Sequence, residues 1–348
     1  MSILIYGITG YTGQLVAERA KALGLRPVVA GRDSAKTKAV AERHGFVWKA
    51  FTLSDRPALE AALKNVETVL HIAGPFSATS KPMADACIAT RTHYLDITGE
   101  IDVFEALAAR NEEAKAAGVM LLPGCGFDVV PSDCLAAHLK GRLEDASALE
   151  LFVMGLGHVS RGTAKTAVEG VKSGTRVRRN GEIVALRQPG EKSFAFPDGE
   201  KAGIPVSWGD VSTAWHSTGI PDITVYFPAA GQLKKLAQMK PLMRWLMASA
   251  PGQAWLKRKI DQRPPGPTPE QRAKAHAELL GLVRNEAGKE ARSLLKTPDG
   301  YTLTAMTTLE IVKRTTDGAA QPGFQTPSRL FGADFITEFD GCERQDLE

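Results

Sequence analysis

A small set of acidic, tyrosine and histidine residues has the chemistry needed for proton transfer. The candidates are Tyr94, Asp96, Glu100, Asp128, Asp210 and His216. Asp96, Glu100 and Asp128 come soon after apolar runs typical of β-strands, where a cleft can shift the pKa of a carboxylate. In a second interpretation, Asp96 and Asp128 cap helices or brace loops. His216 suits a proton donor, although a single histidine of this kind is more often a hydrogen-bonded structural group.

A glycine-rich turn near the N-terminus has the spacing of a phosphate-binding loop. Gly7, Gly10 and Gly13 form a G-x-x-G-x-x-G pattern between an apolar strand and a helical segment, and a second strand follows. Glycines let the backbone approach a pyrophosphate, and the N–H groups of the first helical turn face the anion. The pattern therefore predicts a dinucleotide site. The loop residues assigned to the cofactor with these glycines are Thr9, Tyr11 and Thr12.

The residues after the second strand indicate which dinucleotide is bound. NAD-binding domains usually place an acidic residue at this strand end, where it binds the ribose 2′-hydroxyl. This chain instead has Gly31 and Arg32, followed by Ser34 and Lys36. A guanidinium suits a 2′-phosphate, so we predict NADP(H) as the cofactor. Asp33 is the evidence against this prediction, because it could bind a ribose hydroxyl.

The order of strand and helix patterns predicts the fold. Six strands alternate with helices over about the first 125 residues, which is typical of a doubly wound parallel Rossmann sheet. Gly74, Pro75 and Phe76 follow the fourth strand and should line the crevice at the carboxyl end of the sheet. From 176 to 227, short strands alternate with turn sequences such as Asn180-Gly181, which predicts an antiparallel sheet.

The sequence predicts two α/β domains. Residues 1–130 form the Rossmann domain, and residues 131–325 form a mixed α/β domain for substrate binding and dimerisation. We expect a terminal helix, Ser328 to Phe339, within a segment 326–348 that returns to complete the first domain. The segment 232–260 has apolar residues at helical spacing among lysines and arginines. It is predicted to be core, a lid over a pocket, or a membrane contact.

Composition excludes several classes of protein. The chain has 348 residues and a net charge of +4, which gives no indication of nucleic-acid binding. The four cysteines lack metal-ligand spacing, so no metal site is expected. Because no secretory leader or spanning segment is apparent, we expect a cytoplasmic protein with reduced thiols. None of the five tyrosines has a lysine four residues later, so the short-chain dehydrogenase mechanism is unsupported.

Several motifs occur together along the chain. They are the glycine loop 7–13, Ala30-Gly31-Arg32, Gly74-Pro75-Phe76, the segments 93–100 and 126–133, and the segment 208–221. Together they resemble the saccharopine dehydrogenase-like oxidoreductases, in particular the bacterial branch that includes trans-acting enoyl reductases. The helix at Gly300-Tyr301 and the segment at Thr326-Pro327 fit the same group. The resemblance implies a Rossmann domain completed from the C-terminus, a mixed second domain and NADPH. A saccharopine-type Tyr-Trp pair after Asp96 is missing, which puts the saccharopine reaction itself in doubt.

The predicted function is hydride transfer between NADP(H) and a C=C, C=O or C=N bond of a small, apolar or lipid-like substrate. The alternative is an NADP(H)-binding sensor or scaffold without catalysis. The expected assembly is a homodimer. Cys125, between two glycines, suits a covalent role poorly because no partnering base is evident.

Overall fold

The computed structural model describes residues 2–155, 157, 159–170, 174–230, 246–247 and 249–348. The contacts divide the chain into two compact units. The first comprises Met1–Val130 and Gly300–Phe331, and the second comprises Pro131–Asp299 and Gly332–Glu348.

The elements are numbered in chain order. The strands are β1 (Ile3–Tyr6), β2 (Val28–Gly31), β3 (Val47–Ala50), β4 (Thr68–His71), β5 (His93–Asp96), β6 (Met120–Leu122), β7 (Ala148–Met154), β8 (Arg176–Arg179), β9 (Glu182–Ala185), β10 (Lys192–Phe196), β11 (Gly199–Val206), β12 (Asp222–Pro228), β13 (His276–Arg284), β14 (Glu290–Pro298), β15 (Gly323–Phe324) and β16 (Glu343–Leu347). The helices are α1 (Tyr11–Ala22), α2 (Ser34–His44), α3 (Arg56–Leu63), α4 (Phe76–Thr90), α5 (Ile101–Ala108), α6 (Asn111–Ala117), α7 (Val130–Arg142), α8 (Arg161–Gly170), α9 (Asp210–Thr218), α10 (Ala250–Asp261), α11 (Pro269–Lys274), α12 (Gly300–Arg314) and α13 (Pro327–Phe331).

The first unit contains a parallel sheet whose described strands are ordered β15-β6-β5-β4-β1-β2-β3. The order reverses between β1 and β4, which creates the topological switch point where such sheets bind ligands. Because every pairing is parallel, the carboxyl ends of all these strands lie at one edge. The predicted Rossmann architecture is confirmed.

Local sequence sets the helix starts around this sheet. Asp33 caps α2 and Asp55 caps α3, each by accepting a backbone N–H three residues later. On one sheet face, Leu4 and Val69 pack in a buried cluster that includes Met83 of α4. Each such buried side chain contributes about 1.5–3 kcal/mol, so this layer holds the strand ends rigidly in place.

The second unit contains a mixed sheet with the described strand order β10-β11-β12-β7-β13-β14-β16, and the β8–β9 hairpin pairs with β12. Only β12 and β7 run parallel in this set. The hairpin turns at Asn180-Gly181, as predicted, and both residues have positive φ. Against this sheet packs α7, so closely that a Cβ on Gly281 would lie 2.4 Å from Leu139 Cδ1. The predicted second, mixed α/β domain is confirmed.

Two predicted elements were wrong. The segment 210–218 is the helix α9 rather than a strand, and it ends at Gly219 in the left-handed conformation. The expected terminal helix, Ser328 to Phe339, is replaced by the short helix α13, a 3₁₀ turn at Phe335–Glu338 and the strand β16. Gly332, with φ of 87°, directly follows α13.

The C-terminal segment also corrects the predicted domain limits. Gly300–Phe331 belongs to the first unit although residues up to 325 were assigned to the second domain. Residues from Gly332 onward belong to the second unit, where β16 pairs with β14. Asp346 fixes this strand by accepting a 2.7 Å hydrogen bond from Ser293 and lying 2.7 Å from His138 Nε2. These side-chain partners lie far away in sequence, so local patterns could not reveal them.

Segment 232–260 was predicted to be core, a lid or a membrane contact. Much of it lies outside the described residues, because 231–245 and 248 are not among them. Its last part is the helix α10. The sequence from Ser160 also predicts a helix through Ser173, and its last residues, 171–173, lie outside the described residues. No described helix has both the length and the apolar character needed to cross a bilayer.

Candidate cofactor site and active site

The glycine loop is shaped by contacts that exclude side chains. Gly7 has φ of 102°, and a Cβ on it would lie 2.7 Å from the carbonyl carbon of Ile72. A Cβ on Gly13 would lie 2.5 Å from the carbonyl oxygen of Gly7. Since real Cβ contacts are not this short, only glycine permits β1, the loop and α1 to approach so closely. The backbone therefore forms a narrow cradle at the switch point between β1 and β4.

The N-terminus of α1 is arranged for an anion. Gly10 is its N-cap residue and, as a glycine, provides no side-chain cap. Thr9, Tyr11 and Thr12 are partly exposed around this turn. The Tyr11 ring packs edge-on against Tyr301 of α12, with centroids 5.0 Å apart. The structure thus brings the predicted loop residues together, and the uncapped helix end fits a pyrophosphate.

The charged residues that follow β2 have different roles. Asp33 Oδ1 accepts the backbone N–H of Lys36 at 3.0 Å, and Oδ2 lies 3.3 Å from Lys36 Nζ. The backbone hydrogen bond from Lys36 lowers the pKa of the Asp33 carboxyl. Asp33 is therefore engaged as a helix cap. Arg32 and Ser34 are exposed beside it, and Arg32 forms no ion pair within the described part of the chain.

The loop after β4 is fastened by Glu100. The Glu100 carboxylate accepts the backbone N–H of Phe76 with Oε1 and that of Ser77 with Oε2, both at 2.8 Å. These amides open the first turn of α4, so the carboxylate caps the helix. Gly74 and Pro75, which precede this turn, lie at the same sheet edge as the glycine loop. This geometry favours a positioning role for Glu100 over proton transfer.

Asp96 and Tyr94 form a buried pair at the end of β5. Tyr94 Oη donates to Asp96 Oδ2 at 2.6 Å, and Asp96 Oδ1 accepts the backbone N–H groups of Thr98 and Gly124, both at 2.9 Å. Burial raises the pKa of the Asp96 carboxyl to about 6, although all three hydrogen bonds favour its charged form. Both residues are fully buried. The carboxylate therefore ties the loop after β5 to the loop after β6.

Asp128 differs from these carboxylates because it has no hydrogen-bond partner in the described structure. It lies in the loop after β6, half-buried, where a Cβ on Gly99 would lie 3.0 Å from its Oδ2. Burial raises the pKa of the Asp128 carboxyl to about 7. A carboxyl that changes protonation near neutral pH suits a general acid.

The loop that carries Asp128 is held in place by α12. Thr304 Oγ1 accepts the backbone N–H of Phe127 at 3.0 Å, and Thr307 Oγ1 donates to the carbonyl of Cys125 at 2.7 Å. Burial raises the pKa of the Cys125 thiol well above its usual value, so it is a poor nucleophile. Among the described residues, no three His, Cys, Asp or Glu side chains are grouped as metal ligands.

His216 lies on α9 in the second unit, in a helix rather than the predicted strand motif. The same helix supplies two buried links to α7. Ser132 Oγ donates to Asp210 Oδ2 at 2.9 Å, and Ser217 Oγ donates to Asp133 Oδ1. The two sequence motifs that contain these residues therefore hold two helices of the second unit together. Asp210 is consequently better explained as a structural group than as an acid.

His71 was not selected from the sequence, yet the structure places it at the end of β4, beside the crevice strands. It is fully buried, and neither ring nitrogen has a hydrogen-bond partner within the described structure. Burial lowers the pKa of His71 to about 3, so the ring is neutral. Its ring contacts Phe76 edge-on, with centroids 5.4 Å apart. The sequence clue was a lone histidine at the end of an apolar strand.

Comparisons with known proteins agree with this geometry. Residues 3–122 match the family model described as the saccharopine dehydrogenase NADP binding domain. A trans-acting enoyl reductase of Mycobacterium leprae is 33% identical over 158 residues, which cover 43% of this chain and 38% of that protein. A putative trans-acting enoyl reductase of Mycobacterium tuberculosis is 33% identical over 157 residues, with the same coverage of 43% and 38%. The matched region is thus under two fifths of these curated relatives.

A solved structure of saccharopine dehydrogenase (L-Glu forming) from Saccharomyces cerevisiae matches the whole fold. The TM-score is 0.63 with 12% identity, and the match covers 100% of both chains. At this identity the likeness shows the fold alone. The resemblance carried by the sequence motifs is confirmed, and the residues that match the family model lie in the first unit.

Proposed function

Because residues 3–122 match the saccharopine dehydrogenase NADP-binding domain family, we propose that this protein is an NADP(H)-dependent oxidoreductase. Its substrate is a small, apolar molecule with a reducible C=C, C=O or C=N bond. One observation carries the proposal. The glycine cradle lies at the same sheet edge as the Asp128 carboxyl, which has no hydrogen-bond partner among the described residues.

The residues of the first unit fit the cofactor. Gly7, Gly10 and Gly13 leave room for the pyrophosphate, and the uncapped N-terminus of α1 faces its charge. Arg32 and Lys36 supply positive charge for a 2′-phosphate, with Ser34 beside them as a donor. Asp33 does not compete for the ribose because Lys36 engages both of its oxygens.

The chemistry divides between cofactor and protein. The bound cofactor would supply a hydride, that is, two electrons and one hydrogen nucleus. Reduction of the double bond also needs one proton, which Asp128 donates while its carboxyl becomes a carboxylate. Tyr94, Asp96 and Glu100 hold the surrounding loops in place and transfer no proton. This step is balanced by solvent, which returns a proton to Asp128 after product release.

Cofactor choice is tested by titrating NADPH and NADH into the protein and its variants. Arg32→Ala should weaken NADPH binding at least ten-fold, about 1.4 kcal/mol, because the 2′-phosphate loses a charge-assisted contact, and should leave NADH binding unchanged. Lys38→Ala, an exposed change on the adjacent helix α2, is the matched control. Equal loss for both cofactors in Arg32→Ala would contradict NADP(H) specificity.

The reaction is tested by incubating the protein with NADPH and enoyl, imine and carbonyl compounds, and following the loss of NADPH absorbance. Turnover on one class identifies the bond that is reduced. Tight NADPH binding without turnover on any class would count against an enzyme.

The second candidate is an NADP(H)-binding sensor without catalysis. One observation favours it, since Tyr94, Asp96 and Glu100 are all engaged in structural hydrogen bonds. A sensor and an enzyme would respond differently to the loss of the Asp128 carboxyl. A sensor binds NADPH equally well with Asp128→Asn and shows no turnover with or without the change.

We also propose a homodimer, as the sequence analysis expected. Light scattering on the purified protein tests it, since the dimer should have twice the 37.3 kDa mass of one chain. A single species at the mass of one chain would contradict it.

A further inference from the structure

The helix α10 has an exposed aromatic residue flanked by positive charge. Trp255 is 56% exposed, and Lys259 Nζ lies 4.0 Å from the centroid of its ring. Arg258, between them in sequence, is also exposed. A tryptophan has an apolar body and a polar N–H, and this combination favours the boundary between water and lipid.

The opposite side of α10 is used for packing on α8. Lys257 pairs with Glu169 and Lys165 pairs with Asp261, each at 2.6 Å. These pairs neutralise the acidic groups next to the helix. Within the described residues, neither Arg258 nor Lys259 forms an ion pair. The outward face of α10 is therefore positively charged.

The sequence before α10 also combines apolar and basic residues. Leu246 is 50% exposed and lies against the first turn of α10, where a Cβ on Gly252 would be 2.3 Å from its carbonyl oxygen. Residues 232–260 contain seven lysines and arginines and no aspartate or glutamate. Such a segment is complementary in charge to a negatively charged surface.

We propose that the outward face of α10, defined by Trp255, Arg258 and Lys259, binds the surface of an anionic membrane. The basic side chains bind lipid headgroups, and Trp255 inserts at the boundary with the acyl chains. Binding is peripheral, since no described helix has the length and apolar character to cross a bilayer. An acidic protein would use the charges but would not need an exposed tryptophan, so the apolar contribution favours lipid. This inference is independent of the oxidoreductase activity.

The test is co-sedimentation of the full-length protein with vesicles at low salt. Vesicles of phosphatidylcholine mixed with phosphatidylglycerol should pull down the protein, and vesicles of phosphatidylcholine alone should not. High salt should release it. Arg258→Glu combined with Lys259→Glu should reduce binding at least about twenty-fold, because each basic residue near the surface contributes about five-fold.

Trp255→Ser should reduce binding about five-fold or more, because the apolar insertion is lost. The charge control is Lys38→Glu with Arg43→Glu on α2, and the apolar control is Val47→Ser, a residue 67% exposed in the first unit. Both controls should bind vesicles like the wild type, and NADPH titration of every variant verifies folding.

Three outcomes would overturn the proposal. The first is no binding to anionic vesicles, and the second is equal binding to both kinds of vesicle. In the third, the charge reversal abolishes binding while Trp255→Ser has no effect. That result would identify a general polyanion site, such as one for an acidic protein, rather than a lipid surface.

Discussion

Two neighbouring loops of the first unit use their carboxylates in opposite ways. The loop after β5 follows Asp96 and carries Glu100, and each of these carboxylates accepts two backbone hydrogen bonds. The loop after β6 carries Asp128, whose carboxyl has no partner within the described structure. All three residues follow strands that end at the same sheet edge.

This difference shows that location at a strand end does not by itself make a carboxylate catalytic. A carboxylate that accepts two or three N–H groups is fixed in orientation and stabilised in its charged form. A half-buried carboxyl that accepts no hydrogen bonds has a raised pKa. It therefore keeps its proton near neutral pH and can donate it. The loop after β5 is tied down by its hydrogen bonds, and we propose that the loop after β6 supplies the reacting group.

The largest expected effect is on the catalytic rate, and it distinguishes the loop after β6 from the loop after β5. Asp128→Asn should lower kcat by about 10²-fold or more, since the amide cannot donate the required proton. The wild-type rate should be constant below pH 7 and fall ten-fold per pH unit above it, because only the protonated acid, with its pKa raised to about 7, is active. Initial rates across this pH range check both statements.

The matched control for that experiment is Glu100→Gln, which removes charge from the other loop. It should retain the wild-type pH profile, whereas Asp128→Asn should show none. A falling limb that persists near pH 7 in Asp128→Asn would assign the titration to another group.

Asp96→Asn should destabilise the fold by about 2 kcal/mol, because an amide cannot accept all three hydrogen bonds that the buried carboxylate accepts. Tyr94→Phe removes only one of these bonds and should cost about 1 kcal/mol. Denaturant unfolding measures both free energies. Equal stability of Asp96→Asn and the wild type would show that the loop does not depend on this residue.

Glu100→Ala should destabilise the protein by about 1 kcal/mol, the usual effect of removing a helix cap. The cap acts on Phe76 and Ser77, so hydrogen exchange should increase at the first turn of α4. Unchanged protection of these two amides would argue against the capping role.

The smallest effect concerns His71, which belongs to neither loop. His71→Leu should stabilise the protein by about 1 kcal/mol at pH 7, because it removes two buried nitrogens that have no partner in the described part of the chain. The gain should grow as the pH falls below about 6.5, since the unfolded histidine then binds a proton that the folded ring, with a pKa of about 3, does not. Thermal melting at pH 7 and pH 5 tests this, and a loss of stability would indicate a hydrogen-bond partner.

The architecture of the first unit could be predicted well because the residues that determine it lie close together in the sequence. The glycine loop, the strand order and the charged residues after β2 all fall within one βαβ unit, where spacing determines geometry. The difference in hydrogen bonding between Asp96 and Asp128 could not be predicted. It depends on Gly124 and Gly99, whose positions beside the two carboxyls are set by the folded loops.

Long-range partners also limited prediction in the second unit. Asp210 and Ser217 appeared to form part of a strand motif, but their contacts with Ser132 and Asp133 stabilise a helix. The C-terminal segment likewise forms a strand because it pairs with β14. Neither set of contacts leaves a periodic pattern in the sequence around it.

The most direct test is the pKa of the Asp128 carboxyl in the free protein, which needs no knowledge of the substrate. A pH titration by ¹³C NMR, with Asp128→Asn identifying the resonance, gives this value. If Asp128 is the proton donor, the midpoint should lie near the value of about 7 that burial produces. A midpoint near the ordinary value of 3.8 would mean that the carboxyl is ionised at neutral pH and cannot be the proton donor.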